Sequence, residues 1–289
     1  MESLTPGRVR LSLVDIAFNP NGLLGIVASD GHISSAIQCF TVKITEKDGT
    51  VEISYNAAPS FNAKCHRDAS FRDSTTARVT HVKYVQRDSS DKVMVAAGDM
   101  KGSYIELWNT VTERQTTHRM YQTTPGIGAG ELTRQSWSFK SSIQHASLPL
   151  SIATPKFPIV YHHTEASQQM FQYLAVAYKD GSVKLINKNS FQPMATTNLD
   201  MGWSDFSSSG PAQEKRRRVI AHLSVMEQTL TGCALVGIDQ LGTLYAMKVV
   251  NTRDPVTNVA PNYLAGMLEY CIVAGTDWWD VLAVIRSSE

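Results

Sequence analysis

The sequence predicts an all-β fold that gives way to a short helical region near the end of the chain. Three observations support this prediction. Strand-length segments with alternating apolar residues, such as VDIAFNPNG, end in residues typical of turns. Similar groups of such segments recur along the chain. After Asn251 the apolar residues change to helical spacing.

The first group of segments shows the pattern most clearly. Val14, Ile16 and Phe18 alternate with polar or small residues before the turn NPNG. The run LLGIVASDG stops at Asp30-Gly31, a strong turn dipeptide, and AIQCFTVKI and GTVEISY supply two further segments. Four short strands in series are therefore expected.

The same unit recurs three more times. Each copy contains a small-apolar strand, a turn with Asp and a β-branched strand, and the turn Asp falls at positions 30, 99, 180 and 239. Asp30, Asp180 and Asp239 suit local capping of turns that contain positive φ angles. Because each unit needs a neighbour to cover its apolar face, the sequence predicts a partial WD-type β-propeller of about four degenerate blades.

The repeat is irregular, because regular units of this type span about 40–45 residues and these are longer. We expect the excess to form loops, in NAKCHRDASFRDSTTAR, YQTTPGIGAGELTRQ and LDMGWSDFSSSGPAQEKRRR. Leu107-Trp108 alone approaches a Trp-Asp signature, and Asn109 follows it in place of Asp. The predicted domains are partial propeller blades over 1–250 and the start of a helical region over 251–289.

Two helices are predicted in the helical region. NVAPNYLAGMLEYCIVAG has apolar residues at three-and-four spacing, with Pro261 near its start and Gly275 at its end. TDWWDVLAVIRSSE begins a second helix, in which Asp277 suits the N-cap and Asp280 the first turn.

The segment TDWWD within the second helix has two interpretations. Two adjacent Trp residues are common in hot spots for a protein partner. We favour a structural junction between propeller and helices, in which Trp278 packs with Leu282 and Trp279 lies across the last blade. The predicted junction residues are Asp277, Trp278, Trp279 and Asp280.

Composition disfavours several classes of protein. The 289 residues carry a net charge of only +1, from 27 basic and 26 acidic residues, which argues against a general nucleic-acid-binding surface. No apolar run approaches the roughly 18 residues that span a bilayer, and the N-terminus lacks the features of a secretion signal. The four cysteines are far apart without CxxC spacing, which predicts reduced thiols.

Motifs for chemistry are sparse, and we predict no catalytic residue, cofactor or metal ligand. The glycine-rich stretch 126–130 follows Pro125 rather than a strand, which favours a loop over a dinucleotide site. Cys65-His66 and His162-His163 are adjacent pairs, and adjacent residues of a strand point to opposite faces. A propeller can still gather carboxylates around a central channel, so an enzyme such as a hydrolase remains an alternative.

One basic cluster lies in a polar segment expected to be a loop. It consists of Lys215, Arg216, Arg217 and Arg218. The cluster is interpreted as a solvated loop or as a possible nuclear localisation signal. Direct DNA contact is disfavoured, since no aromatic residue or reading helix adjoins it.

The sequence also resembles a known family. CALVGIDQLGTLYAMKVV followed by LAGMLEYCIVAGTDWWDVL is similar to the region of the Mediator complex subunit 16 family where a WD-type propeller meets a helical region. GRVRLSLVDIAF, TARVTHVKYVQRD and LAVAYKDGSVKLINKNSFQPMA resemble the same family in the same order.

The resemblance implies a nuclear, non-enzymatic scaffold of the Mediator tail module. Its expected partners are other tail subunits and transcription activators, with RNA polymerase II machinery contacted indirectly and no direct nucleic-acid or membrane site. Family members carry further blades before the position of Gly7 and a longer helical region after Asp280. The chain therefore resembles a partial version, whose first blade would expose a face. A generic WD-type adaptor outside Mediator is the other alternative.

Overall fold

The computed structural model divides into two compact units, Met1–His145 and Ala146–Glu289. The boundary that the sequence predicts at residue 250, between propeller blades and helical region, stays a prediction. The residues that the structure describes are 10–18, 22–47, 49–67, 75–87, 90–116, 131–154, 173–199, 201–204, 217–229, 231–249, 260–275 and 277–286.

The first unit contains two four-stranded antiparallel sheets, in which strands adjacent in sequence pair with each other. A short 3-10 turn, Lys64–Arg67, follows the first sheet. The first sheet comprises β1 (Leu13–Phe18), β2 (Leu24–Ser29), β3 (Ile37–Lys47) and β4 (Thr50–Phe61). The second sheet comprises β5 (Arg78–Arg87), β6 (Asp91–Asp99), β7 (Gly102–Thr116) and β8 (Glu131–His145).

The second unit contains two further antiparallel sheets, a two-stranded ribbon and two helices. The third sheet comprises β9 (Pro149–Ala153), β10 (Tyr173–Tyr178), β11 (Ser182–Asn187) and β12 (Pro193–Asn198). The ribbon comprises β13 (Met201–Ser204) and β14 (Arg217–Ile220), and the fourth sheet β15 (Leu223–Gln228), β16 (Ala234–Asp239) and β17 (Leu244–Lys248). The helices are α1 (Ala260–Ala274) and α2 (Trp279–Arg286).

The four sheets confirm the predicted all-β fold of about four propeller-type blades followed by helices. Each sheet follows the chain as a simple meander, the form expected of a blade. Gly275 ends α1 with a φ angle of 65°, as the sequence predicts. Apart from β8, the strands within each meander fall where apolar alternation or short apolar runs indicate them.

Two of the expected loops contain strand structure, and this part of the prediction is wrong. β8 begins at Glu131, inside one expected loop, and pairs with the end of β7. The expected loop before Arg218 contributes both β13 and β14, which pair with each other. These segments lack the apolar alternation that marks the blade strands. Cross-strand hydrogen bonding can form a strand without that pattern.

The capping role predicted for the turn aspartates is confirmed. In all four turns the Asp carboxylate accepts a hydrogen bond from the backbone N–H two residues later. The pairs are Asp30 with His32 at 2.8 Å, Asp99 with Lys101 at 2.8 Å, Asp180 with Ser182 at 3.0 Å and Asp239 with Leu241 at 2.8 Å. Gly181 adopts a φ angle of +84°, and a Cβ there would lie 2.6 Å from the carbonyl oxygen of Ala221.

Candidate interaction surfaces

The first and second sheets are joined by the carboxylate of Asp15. This side chain on β1 accepts a hydrogen bond from the backbone N–H of Tyr84 at 2.7 Å and from Lys83 Nζ at 3.2 Å, both on β5. The side chains of the Lys83–Asp15 ion pair are 32% and 18% exposed, so it is partly shielded from solvent. A backbone donor is fixed in position, so this contact fixes the alignment of the two strands.

A second carboxylate, Glu106 on β7, lies almost completely buried in the same junction. It accepts hydrogen bonds from the backbone N–H groups of Lys64 at 2.8 Å and Cys65 at 2.5 Å. It also accepts one from Trp108 Nε1 at 2.9 Å. Glu106 therefore anchors the turn that leaves the first sheet onto the second. The sequence analysis missed this residue, although a single acid within the run YIELW is an available signal.

Aromatic side chains pack at the same junction, beside the buried carboxylate. The ring of Phe61 on β4 lies 4.8 Å from that of Trp108 and 4.9 Å from that of Trp137 on β8. Trp137 Nε1 donates to the carbonyl oxygen of Pro59 at 2.7 Å. The ammonium of Lys64 lies 4.0 Å above the ring of Phe139. These contacts tie β4 to β8, at the opposite edge of the sheets from β1 and β5.

A cavity of about 570 Å³ opens within the first unit, between the first and second sheets. Its volume lies in the range of ligand pockets, about 300–1,000 Å³. Burial, with the charge of Asp91, raises the pKa of the Cys39 thiol in its wall to about 12. That group is therefore a thiol rather than a nucleophilic thiolate near neutral pH.

The junction between the third and fourth sheets uses neutral groups. Ser151 Oγ on β9 accepts the backbone N–H of Met226 on β15 at 2.9 Å. Gln228 Nε2 donates to the carbonyl oxygens of Tyr173 at 3.0 Å and Ala153 at 3.4 Å. Both side chains are buried. Each satisfies backbone groups that would otherwise lack a partner between the sheets.

The predicted junction residues lie where α2 meets the fourth sheet. Asp277 Oδ1 accepts the backbone N–H of Trp279 at 3.1 Å, which is the expected N-cap contact. Asp280 Oδ2 accepts a hydrogen bond from the hydroxyl of Thr231, in the connection between β15 and β16. Val281 is fully buried beside it in the sequence. One turn of helix is thus attached directly to a blade hairpin.

The buried position expected for Trp279 is wrong. Its side chain is 67% exposed and stacks on Trp278, with the ring centroids 5.5 Å apart. The buried side of α2 carries Val281 and the partly buried Leu282. Trp278 precedes them by three and four residues, so helical spacing places it on the same side. Trp279 falls outside this stripe. The contact to the blade comes instead from Asp280.

Burial also affects a cysteine near this junction. The pKa of Cys233 is raised to about 11, chiefly by burial, and the charge of Asp280 adds to the shift. All four cysteines, Cys39, Cys65, Cys233 and Cys271, are buried and free, as the prediction of reduced thiols requires.

The basic cluster is only partly described. Arg217 and Arg218 lie on β14, where they pair in register with Ser204 and Trp203, so this half of the cluster is strand and not loop. Lys215 and Arg216 lie outside the described residues, as do the glycine-rich stretch 126–130 and His162-His163.

The face of the first sheet that is turned away from the second sheet, here called the backward face, carries exposed apolar residues on its first strand. On β1, Val14, Ile16 and Phe18 are exposed, while the alternate residues face the second sheet. The register places Phe18 beside Leu24, and Ile44 beside Ile53, so apolar side chains continue across the sheet. Phe40 and Val42 of β3 lie on the same face but are only 7% and 6% exposed, so exposure of the whole face of the first blade stays a prediction.

The fourth sheet exposes a corresponding forward face, turned away from the third sheet. Val225, Ile238 and Leu244 form one cross-strand row on this face, and all are exposed. Val236 lies in the next row and is also exposed. Exposed apolar areas of this kind commonly mark sites of protein contact.

Metal binding and membrane insertion are two further functions on which the described residues bear. Within the described ranges, no group of three or more His, Cys, Asp or Glu side chains is placed to hold a metal ion. No helix in that part of the chain combines the length and the apolar character needed to cross a bilayer.

Meander sheets that pack in pairs through hydrogen-bonded junctions within each unit define a fold of the β-propeller class. Within that class, the chain belongs to the Mediator complex subunit 16 family. The family model described as Mediator complex subunit 16, N-terminal, matches residues 2–218.

Individual relatives agree with this assignment. The chain is similar to Mediator of RNA polymerase II transcription subunit 16 from Homo sapiens, with 30% identity over 296 residues, 99% of this chain and 34% of that protein. The Xenopus laevis protein of the same name is 30% identical, with 99% and 42% covered. The chain thus spans well under half the length of these relatives. A crystal structure of Kluyvelomyces marxianus Hsv2 overlaps 83% of this chain and 77% of its own, but at a TM-score of 0.29 and 8% identity the likeness carries no argument.

Proposed function

We propose that this chain is a non-enzymatic scaffold part of the Mediator coactivator complex. In this role it relays signals from transcription factors to RNA polymerase II through protein contacts. Its partners are other subunits of the Mediator tail and transcription activators, with the polymerase machinery contacted indirectly. The observation that carries the proposal is the family match over residues 2–218.

The chemistry of the junctions supports a scaffold. The buried carboxylate of Glu106 is used by internal donors, and the thiols of Cys39 and Cys233 have pKa values raised to about 12 and about 11. These groups therefore hold sheets together or stay protonated. Exposed apolar residues on the outer strands, such as Ile16 and Leu244, are suited to contact with proteins.

Co-purification from nuclear extract tests this function. A tagged chain should recover tail subunits of Mediator above the level of an unrelated blade protein with the same tag. Recovery of other nuclear proteins without Mediator subunits would favour a generic WD-type adaptor. Turnover of a hydrolase substrate by the purified chain, lost when an acidic residue is replaced, would instead support the enzyme alternative.

The segment TDWWD has a structural role in this proposal, through Asp280 and its hydrogen bond with Thr231. Asp280→Ala should lower the unfolding midpoint of the second unit and weaken recovery of tail subunits together. Trp279→Ala is the matched control, since the exposed ring contributes little to folding. Loss of partners in Trp279→Ala with unchanged stability would show that the segment is a partner hot spot instead.

We also propose nuclear localisation, with Lys215, Arg216, Arg217 and Arg218 as the import signal. Importins bind runs of positive charge, and this is the one run of four basic residues in the sequence. Replacing all four residues with Ala should move a fluorescently tagged chain from nucleus to cytoplasm. Fusion of an independent import signal to that variant should restore the nuclear pool. If the variant without the added signal is distributed like the wild type, the assignment is contradicted.

A further inference from the structure

The second sheet narrows at one end from four strands to two. β6 pairs with β7 only as far as Lys92 and Asn109, whereas β7 and β8 remain paired as far as Thr116 and Glu131. Among the strands that the structure describes, none pairs with the other edge of β7 over residues 111–116, here called the open edge of β7. The backbone groups along such an edge are a template for pairing with another extended chain.

The cavity between the first and second sheets adjoins this open edge. The register pairs Thr110 with Trp137 and Thr112 with Gln135, so these four side chains share one face of β7 and β8. All four line the cavity, and Thr41 of β3 belongs to the opposite wall. Since alternate side chains of a strand point to the same face, a strand paired with the open edge would direct every second side chain toward the cavity.

The lining of the cavity carries a negative charge. Asp91 is the one charged side chain among the described lining residues. Its charge adds to burial in raising the pKa of the Cys39 thiol to about 12, and Cys39 lies in the wall across from it. A carboxylate has several acceptor positions, so it can receive a further donor in addition to those it already holds. The cavity is therefore complementary to a positive charge.

The neutral lining groups suit a guanidinium more than an ammonium. Tyr84 and Trp137 supply aromatic rings, and hydroxyl and amide groups are spread around the wall. A guanidinium is planar, presents five donors and stacks on aromatic faces, whereas an ammonium is a compact and strongly hydrated charge. Contact between a cation and a ring already occurs on the same strand, where the ammonium of Lys64 lies 4.0 Å above Phe139.

We propose that an arginine side chain of a partner polypeptide occupies this cavity, while the backbone of the partner pairs with the open edge of β7. The guanidinium lies against the ring of Trp137 and donates to the carboxylate of Asp91. Pairing along the edge supplies affinity, and the cavity selects the side chain. Because it describes a protein contact, this inference rests on the scaffold role proposed above, but not on the identity of the partner.

NMR of the purified chain with a synthetic peptide tests the contact. The probe is acetyl-Thr-Val-Arg-Val-Thr-amide, and the matched peptide carries citrulline, the neutral isostere, in place of arginine. Arginine peptide at millimolar concentration should shift the indole N–H resonance of Trp137 in a saturable manner. This resonance is assigned by its absence from Trp137→Phe. The citrulline peptide should bind about tenfold or more weakly, since it lacks the charge that Asp91 accepts.

A pair of variants tests the role of the carboxylate. Asp91→Asn keeps the shape of the side chain but removes its charge, so both peptides should bind this variant equally. Glu113→Gln is the matched control, because Glu113 is exposed on the same strand and is not among the described lining residues. It should keep the preference for arginine. Circular dichroism establishes that each variant is folded, and the comparison of peptides on the wild type needs no variant.

Methylation of the peptide backbone tests the pairing with β7. The amides of the two Val residues point to one edge of the extended peptide, and those of the central and outer residues point to the other. N-methylation on one edge should abolish binding, and N-methylation on the other should leave it unchanged. Equal effects of the two modifications would exclude strand pairing.

Two further outcomes would overturn the inference. One is a wild-type chain whose Trp137 resonance does not respond to the arginine peptide or responds equally to citrulline. The other is a folded Asp91→Asn variant that retains the preference for arginine. Failure to recover Mediator subunits from nuclear extract would bear on the proposed function alone, because these titrations contain only the purified chain and a peptide.

Discussion

The two sheet-to-sheet junctions solve the same packing problem with different chemistry. The junction of the first unit relies on the carboxylates of Asp15 and Glu106, whereas that of the second relies on the hydroxyl of Ser151 and the amide of Gln228. Both satisfy backbone groups at the contact. The comparison teaches that similar blade stacking can differ in its response to charge and salt, because only the first junction places carboxylates between sheets.

The largest expected effect is at Glu106. Glu106→Leu leaves the N–H groups of Lys64, Cys65 and Trp108 without their acceptor, so the first unit should lose about 3 kcal/mol or more. Urea unfolding followed by tryptophan fluorescence measures this loss. Glu106→Gln keeps one acceptor oxygen and should recover part of it. Equal midpoints for Glu106→Leu and the wild type would contradict the role assigned to this carboxylate.

Gln228 should give an intermediate effect in the second unit. Gln228→Leu keeps the approximate size but leaves the carbonyl oxygens of Tyr173 and Ala153 without this donor, at a cost of about 1–3 kcal/mol. Hydrogen exchange of β15 amides measures the change locally. Thr196→Ala on the exposed β12 is the control. A loss as large as that of Glu106→Leu would remove the distinction between charged and neutral junctions.

A smaller effect, with a distinct dependence on salt, is expected at Asp15. Asp15→Asn keeps an acceptor for the N–H of Tyr84 but loses the charge paired with Lys83, so stability should fall by about 1 kcal/mol. Unfolding midpoints at low and high salt measure the charge contribution. The difference between variant and wild type should shrink at high salt. A difference that salt leaves constant would show that Asp15 acts through packing.

A pH titration tests a carboxylate of the second unit, that of Asp239, which lies in a turn and not at a junction between sheets. Burial alone would raise the pKa of Asp239, but donors on Thr243, Leu241 and Tyr245 lower it below the usual 3.8. Its stabilising contribution is therefore complete above pH 3.8 and is lost as the pH falls through the lower folded value.

The stability of Asp239→Asn should accordingly fall less steeply than that of the wild type as the pH is lowered. Unfolding midpoints measured at successive pH values check the slope, with Asp277→Asn on the exposed N-cap as a comparison. An identical acid slope in Asp239→Asn and the wild type would exclude this contribution.

The smallest effect is expected for Trp279→Ala. The side chain is exposed and stacks only on its neighbour Trp278 among the contacts described. Stability should change by less than about 0.5 kcal/mol. Thermal unfolding monitored by circular dichroism is sufficient to test this. A large loss would restore the original expectation that Trp279 is part of the junction core.

The predictions that succeeded concern interactions between residues close in sequence. Each turn Asp caps an N–H only two residues away, so Asp180 could be assigned from its neighbours alone. The N-cap role of Asp277 has the same local origin. Glu106 was missed because its donors at Lys64 and Cys65 lie more than forty residues earlier, in the 3-10 turn that follows the first sheet.

The sequence by itself determined most blade strands, their turns and the positions of the two helices, because alternation and capping act over a few residues. Only the tertiary structure decided which side of a strand or helix is covered. Val27 is buried and Phe18 is exposed on the same sheet, and Val281 is buried while Trp279 is exposed on the same helix. Residues of similar apolar character reach opposite environments, since burial depends on which element packs against each face and not on the residue itself.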